Sequence, residues 1–235
     1  ALSSAASDVY KRQELDNLGV RVANLEKKAD NVKVTGELRY HYKDNGGDID
    51  GYATELRSRI WVKGAINEDW TYTGMLENIQ DLKNDKGDET TKFQRAYVNG
   101  KLGGMAVQAG RYNKTDITAL ATGGNIYDNR MDGVQLSYGK DVKLTAGYGK
   151  ATALALKDAD DKNTVAYAEL TGKIGAVDAN AAYYAFKDVK KLDGEDNKIW
   201  TVGLGFDLAK DLKLAGNYIK SDYDKAGFDD DGYVV

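Results

Sequence analysis

Thr54-Glu55-Leu56-Arg57-Ser58-Arg59-Ile60-Trp61-Val62-Lys63-Gly64 changes character at almost every residue. Leu56, Ser58, Ile60, Val62, Gly64 and then Ile66 fall on one face of an extended chain, with Glu55, Arg57, Arg59, Trp61 and Lys63 on the other. A β-strand sends successive side chains to opposite faces, so this stretch reads as a strand with one apolar and one wet side. The preceding segment has the same period. Val34, Gly36, Leu38, Tyr40 and Tyr42 alternate there with Lys33, Thr35, Glu37, Arg39, His41 and Lys43. Further along, Val134, Leu136 and Tyr138 share one face of a strand, and Trp200, Val202, Leu204, Phe206 and Leu208 share one face of another.

A soluble sandwich also alternates, but three features favour a membrane barrel. Many segments run about 9–12 residues, the length of a tilted membrane strand rather than of the shorter strands in globular sheets. Connections alternate in length. Short ones lie at Asn67–Asp69, Lys101–Gly104, Lys140–Asp141, Gly175–Ala176 and Ala209–Asp211. Longer acidic ones lie at Asp44–Gly51, Leu82–Thr91, Asn113–Asn129, Ala151–Lys162, Asp188–Asn197 and Asp222–Asp231. Short turns on one rim and long loops on the other mark an up-and-down outer-membrane barrel. Tyr gathers at strand ends (Tyr40, Tyr42, Tyr52, Tyr112, Tyr138, Tyr148, Tyr218), as interfacial girdles require. A turn also recurs: Lys140-Asp141-Val142-Lys143-Leu144 returns as Lys210-Asp211-Leu212-Lys213-Leu214, two similar hairpins.

The expected fold is therefore all-β, a transmembrane antiparallel up-and-down β-barrel over residues 33–235 behind a short helix. About eleven strands are expected, with the beginning of a twelfth at Gly232-Tyr233-Val234-Val235. Closed bacterial barrels have even strand numbers, so a complete relative is expected to have about sixteen, and this chain to be a fragment.

Composition narrows the function. The chain has 235 residues with 33 basic and 37 acidic side chains, a formal charge of −4, too acidic a balance to suggest nucleic-acid binding. Cys is absent, which excludes disulfide scaffolds, thiolate metal sites and a Cys nucleophile. The single His, His41, leaves no His pair for a metal, and no cofactor is expected. Mean hydropathy of −0.58 excludes a bundle of spanning helices, yet is compatible with a barrel whose lumen is polar.

The N-terminal region is different. Leu15, Leu18, Val22, Leu25, Ala29 and Val32 recur at spacings of three and four, the seam of a coiled coil, so residues 14–32 are expected to end a longer oligomeric stalk. Before them, Asp8-Val9-Tyr10-Lys11-Arg12-Gln13 resembles one reading frame of a sequencing-library adapter, and residues 1–13 are expected to be a scar rather than native protein.

Several stretches are similar to general porins. Thr54–Gly64 resembles their second strand. Arg95-Ala96-Tyr97-Val98-Asn99-Gly100 followed by Gln108-Ala109-Gly110-Arg111-Tyr112 resembles the strands entering their constriction loop, and Asn129–Tyr138 the strand leaving it. The junction Leu25–Glu37 is similar to the stalk-to-barrel joint of OmpM-like tethering porins of diderm Firmicutes. That resemblance implies a homotrimeric channel in the bacterial outer membrane, surrounded by lipid and passing small hydrophilic solutes. It implies a periplasmic coiled coil, and peptidoglycan contact through an S-layer-homology domain that this sequence does not contain.

A channel performs no reaction, so its site is a charge arrangement in a narrow lumen. Alternation puts Arg39, Arg57, Arg59, Lys63 and Arg95 on wet faces, and every barrel Arg falls between Arg39 and Arg130. These are either a constriction wall or solvated faces partnered by Glu37, Glu55 and Glu77. Strict alternation sends Arg111 and Arg130 to the lipid side, whereas the resemblance puts both in the constriction. By resemblance, the uncharged middle of Asn113–Asn129 folds inward and brings Asp116 and Asp128 opposite the Arg wall. A transverse field of that kind selects solutes by dipole and charge. The enzymatic rival, a Ser/His lipid hydrolase, fails on parity, because His41 and Ser58 project to opposite sides of the sheet.

Overall fold

Among the described residues the alternating segments form twelve strands in one antiparallel sheet, each hydrogen-bonded to its neighbours in the chain. They are β1 (Val32–Asn45), β2 (Gly51–Ala65), β3 (Thr71–Asp81), β4 (Lys92–Leu102), β5 (Met105–Lys114), β6 (Asn129–Gly139), β7 (Val142–Ala151), β8 (Thr164–Ile174), β9 (Val177–Val189), β10 (Glu195–Ala209), β11 (Leu212–Tyr223) and β12 (Asp230–Val234). This computed structural model describes residues 13–22, 31–46, 51–87, 90–114, 129–152, 163–189, 195–223 and 230–234. Connections alternate between short and long from the β2–β3 turn onward, whereas the two connections flanking β2 are of equal length. At the β4–β5 turn, Gly103 and Gly104 take positive φ of 54° and 82°, a backbone that β-branched residues strongly resist.

The two faces differ sharply. On one, Tyr112, Met131, Ala151, Val165, Tyr167, Ala182, Tyr184 and Phe186 form a buried cluster. On the other, Val134, Leu136, Leu144, Leu170, Val202, Leu204, Phe206 and Leu214 are exposed. A single sheet shields one face by curling around it, and contacts between distant strands show that curl. The Tyr112 hydroxyl of β5 lies 3.4 Å from that of Tyr167 in β8. Lys114 Nζ of β5 lies 2.6 Å from Glu169 Oε1, also in β8. The buried face is thus concave and the exposed apolar face convex, the arrangement of a transmembrane β-barrel. Gly110, Gly133 and Gly149 stand in register across β5, β6 and β7. A Cβ on Gly133 would sit 2.4 Å from the Tyr148 carbonyl oxygen, so bare backbone here lets the strands lie against one another.

Two local expectations change. Tyr112 is 1% exposed and points into the concave cluster rather than joining an interfacial girdle. Its place in β5, two residues from Gly110 and two from Lys114, gives it inward parity. Tyr40, Tyr42, Tyr52, Tyr138 and Tyr148 are exposed. At the N-terminus, residues 13–22 form a helix, α1, exposed along its length with Leu15, Leu18 and Val22 uncovered. Leu25 and Ala29 lie outside the described residues. Val32 opens β1 opposite Gly64, so the last seam residue belongs to the sheet.

Candidate functional site: a basic concave wall

The antiparallel ladder of β1 and β2 fixes which charges meet. Lys33 is opposite Lys63, Glu37 opposite Arg59 and Arg39 opposite Arg57, all with concave-face parity. Arg57 Nη2 donates to Glu37 Oε1 at 2.8 Å, and Arg59 Nη1 lies 3.7 Å from the same oxygen. Arg59 Nε donates to Glu77 Oε2 of β3 at 2.7 Å, and Glu77 is 4% exposed. In β4 the pairing with β3 shifts between Met75 and Leu76, leaving Gln94 as a bulge residue. Its side chain turns to the concave side and donates from Nε2 to Glu77 Oε1 at 2.6 Å.

Arg130, near the start of β6, completes this chain. Its Nη1 donates to Gln94 Oε1, and its Nε donates to Thr152 Oγ1 at 3.0 Å. Arg95 stands opposite Met75 on the concave face and donates to Asn113 Oδ1 at 3.0 Å, within the fields of Arg59 and Arg130. Of the residues expected to line a constriction, Arg39, Arg57, Arg59, Lys63 and Arg95 therefore have concave parity. Arg130 reaches the same group from a strand end.

Arg111 does not. Pairing of β5 with β4 and β6 is unbroken through Ala109 and Arg111, which keeps Arg111 on the convex side. There it makes a bidentate pair with Asp132, both bonds 2.7 Å. Of the residues expected at the constriction, Arg111 is thus the one held by a directly opposed carboxylate on the convex side. Asp116 and Asp128 lie outside the described residues.

Sequence reasoning did not pick out Lys114 and Glu169. Lys114 is 3% and Glu169 0% exposed at the side chain. Tyr184 donates its hydroxyl to Glu169, and the Lys114 ammonium sits 4.8 Å from the Tyr167 ring centroid. The signal was available in β8, where Val165, Tyr167 and Glu169 alternate with Ala166, Ala168 and Leu170. Bulky residues recur there on the face that the neighbouring strands leave inward. On β8–β11 the concave charges pair off, Lys173 with Asp207 at 2.9 Å and Lys213 with Asp178 at 2.5 Å. Excess positive charge is thus concentrated on β1–β6. His41 faces Glu55 on the concave side, whereas Ser58 stands opposite Leu38 and Asn78 on the convex one, so the two cannot act together.

An up-and-down antiparallel sheet with a convex apolar face, most of its charged side chains on the concave face and short turns opposed to long loops is the porin class of fold. Comparison with known proteins bears on that class. No family model matches the chain, and no curated protein matches it. Among solved structures, Acinetobacter baumannii OccAB1 shares the fold at TM-score 0.50 and 13% identity, over 83% of this chain and 53% of that one. The chain thus spans about half the length of OccAB1. A Rh. blastica porin mutant matches at TM-score 0.48 and 14% identity, over 86% of this chain and 87% of that one. Salmonella typhi OmpF, in a complex with daunomycin, matches at TM-score 0.41 and 14% identity, over 85% and 82%.

Proposed function

We propose that the chain forms part of a water-filled outer-membrane channel for passive diffusion of small hydrophilic solutes and ions. The observation that carries this reading is the division of one sheet into a convex apolar belt and a concave wall rich in guanidinium groups. An apolar face this continuous suits hydrocarbon, and charged groups on the opposite face suit water. The working form is a homotrimer with α1 in the periplasm. We also propose, from the resemblance alone, that the loop Asn113–Asn129 folds inward and brings Asp116 and Asp128 towards this arginine wall. The test is reconstitution in planar bilayers. Stepwise conductance increments are expected, and an inert bilayer at saturating protein would refute the channel.

A tether between outer membrane and cell wall is a second reading, favoured by the uncovered Leu15, Leu18 and Val22 of α1. Such a seam is stabilised by packing against copies of itself. Sequencing the source gene upstream decides it. A wall-binding domain before the heptads supports the tether and a peptidoglycan partner, and a signal peptide directly before them leaves an ordinary porin.

A further inference from the structure

Arg39 and Arg57 stand directly opposite one another in the β1–β2 ladder. Like charges in that position repel, and a sheet gains nothing structural from them. The flanking acids relieve the pair only in part. Glu55 stands in register with His41, and Glu37 is shared between Arg57 at 2.8 Å and Arg59 at 3.7 Å. Among the described residues Arg39 enters no ion pair. Arg57 Nε is shielded from solvent and has no hydrogen-bond partner. The result is a guanidinium oriented by one carboxylate and facing a second cation across the ladder.

Two guanidinium forks suit one kind of ligand. A tetrahedral oxyanion with two negative charges offers acceptor oxygens to both planes and cancels their repulsion, which a chloride ion cannot do with the same geometry. We propose that Arg39 and Arg57 form a dwell site for small doubly charged oxyanions of the phosphate class on the channel wall. This rests on the channel reading above and names the solutes it favours. Further along, Glu77 pairs with Arg59 and Gln94 accepts a hydrogen bond from Arg130, so those residues shape the wall while the Arg39–Arg57 pair receives the anion.

The test uses the full chain in planar bilayers with potassium chloride, adding inorganic phosphate. Expected are a reversal potential favouring anions and saturable reduction of chloride current by phosphate. R39Q or R57Q should raise the phosphate concentration for half-block by about tenfold or more, the loss of one charged hydrogen-bonding group. The R39K/R57K double variant keeps the charge without the planar fork. It should retain anion preference while losing most of the block. K210Q, in the β10–β11 turn, serves as the charge control and leaves the block unchanged. Conductance steps without phosphate block, or block indifferent to R39Q and R57Q, overturn the dwell site and leave the channel standing. Absence of steps in every variant and in the parent overturns the channel itself.

Discussion

Replacing Lys114 by Met should be among the most damaging single changes in the sheet. Lys114 Nζ lies 2.6 Å from Glu169 Oε1, and the two side chains are 3% and 0% exposed. At an effective dielectric of about 20, charges at that separation attract by about 6 kcal/mol, most of which offsets the cost of removing both from water. Met fills the volume of Lys but leaves the Glu169 charge against the rings of Tyr167 and Tyr184. Breaking one side of such a pair costs about 3–5 kcal/mol. K114M/E169Q removes the stranded charge and keeps the Tyr184 hydroxyl a partner, so it should recover all but about 1–2 kcal/mol. K173Q, which breaks a half-exposed pair with Asp207, should be far milder than K114M. Equilibrium urea unfolding in detergent micelles, followed by Trp and Tyr fluorescence, reads all three. A K114M loss below about 1 kcal/mol, or a double variant no better than K114M, would refute the reasoning.

Leu136→Arg puts a charge on the convex apolar belt and should cost about 2–4 kcal/mol in lipid-based unfolding, as at the middle of a membrane strand. Near-zero cost would mean that this face meets water. Gly147→Ala is expected to destabilise by about 1–3 kcal/mol, because its Cβ would lie 2.4 Å from the Tyr167 ring. Thermal unfolding in detergent checks it, and an unchanged midpoint would show that the ring is free to move aside. Glu77→Gln removes the carboxylate to which Arg59 and Gln94 both donate. It should shift the reversal potential in a salt gradient further towards anions, and an unchanged potential would place Glu77 away from the ion path.

Most of the sheet was legible because period 2 is a strong signal wherever one face is apolar. β2 is the clearest case, where every odd residue from Glu55 to Lys63 carries the concave parity that its alternation implies. The β9 strand was not legible. Asp178, Asn180, Ala182 and Tyr184 alternate with Ala179, Ala181, Tyr183 and Ala185, and small residues on both faces give hydropathy no contrast. Only pairing resolves it: Tyr184 stands opposite Tyr167, and that row is buried. The two awkward arginines show the limit of parity in another way. Arg111, in mid-ladder beside Asp132, obeys it. Arg130 sits where a strand begins, and its long side chain reaches the Gln94 bulge, which no local pattern announces. Glu169 was hidden because a lone acid in an alternating strand looks like a solvated face.

The central claim is that the concave face of β1 and β2 meets water while the convex face meets lipid. Because the chain has no Cys, single cysteines placed at each position from Leu56 to Lys63 report on it directly. In lipid vesicles, a membrane-impermeant charged thiol reagent should modify the cysteines replacing Arg57, Arg59, Trp61 and Lys63. Those replacing Leu56, Ser58, Ile60 and Val62 should resist it. Uniform labelling along the strand, or labelling of the even positions instead, would contradict the account.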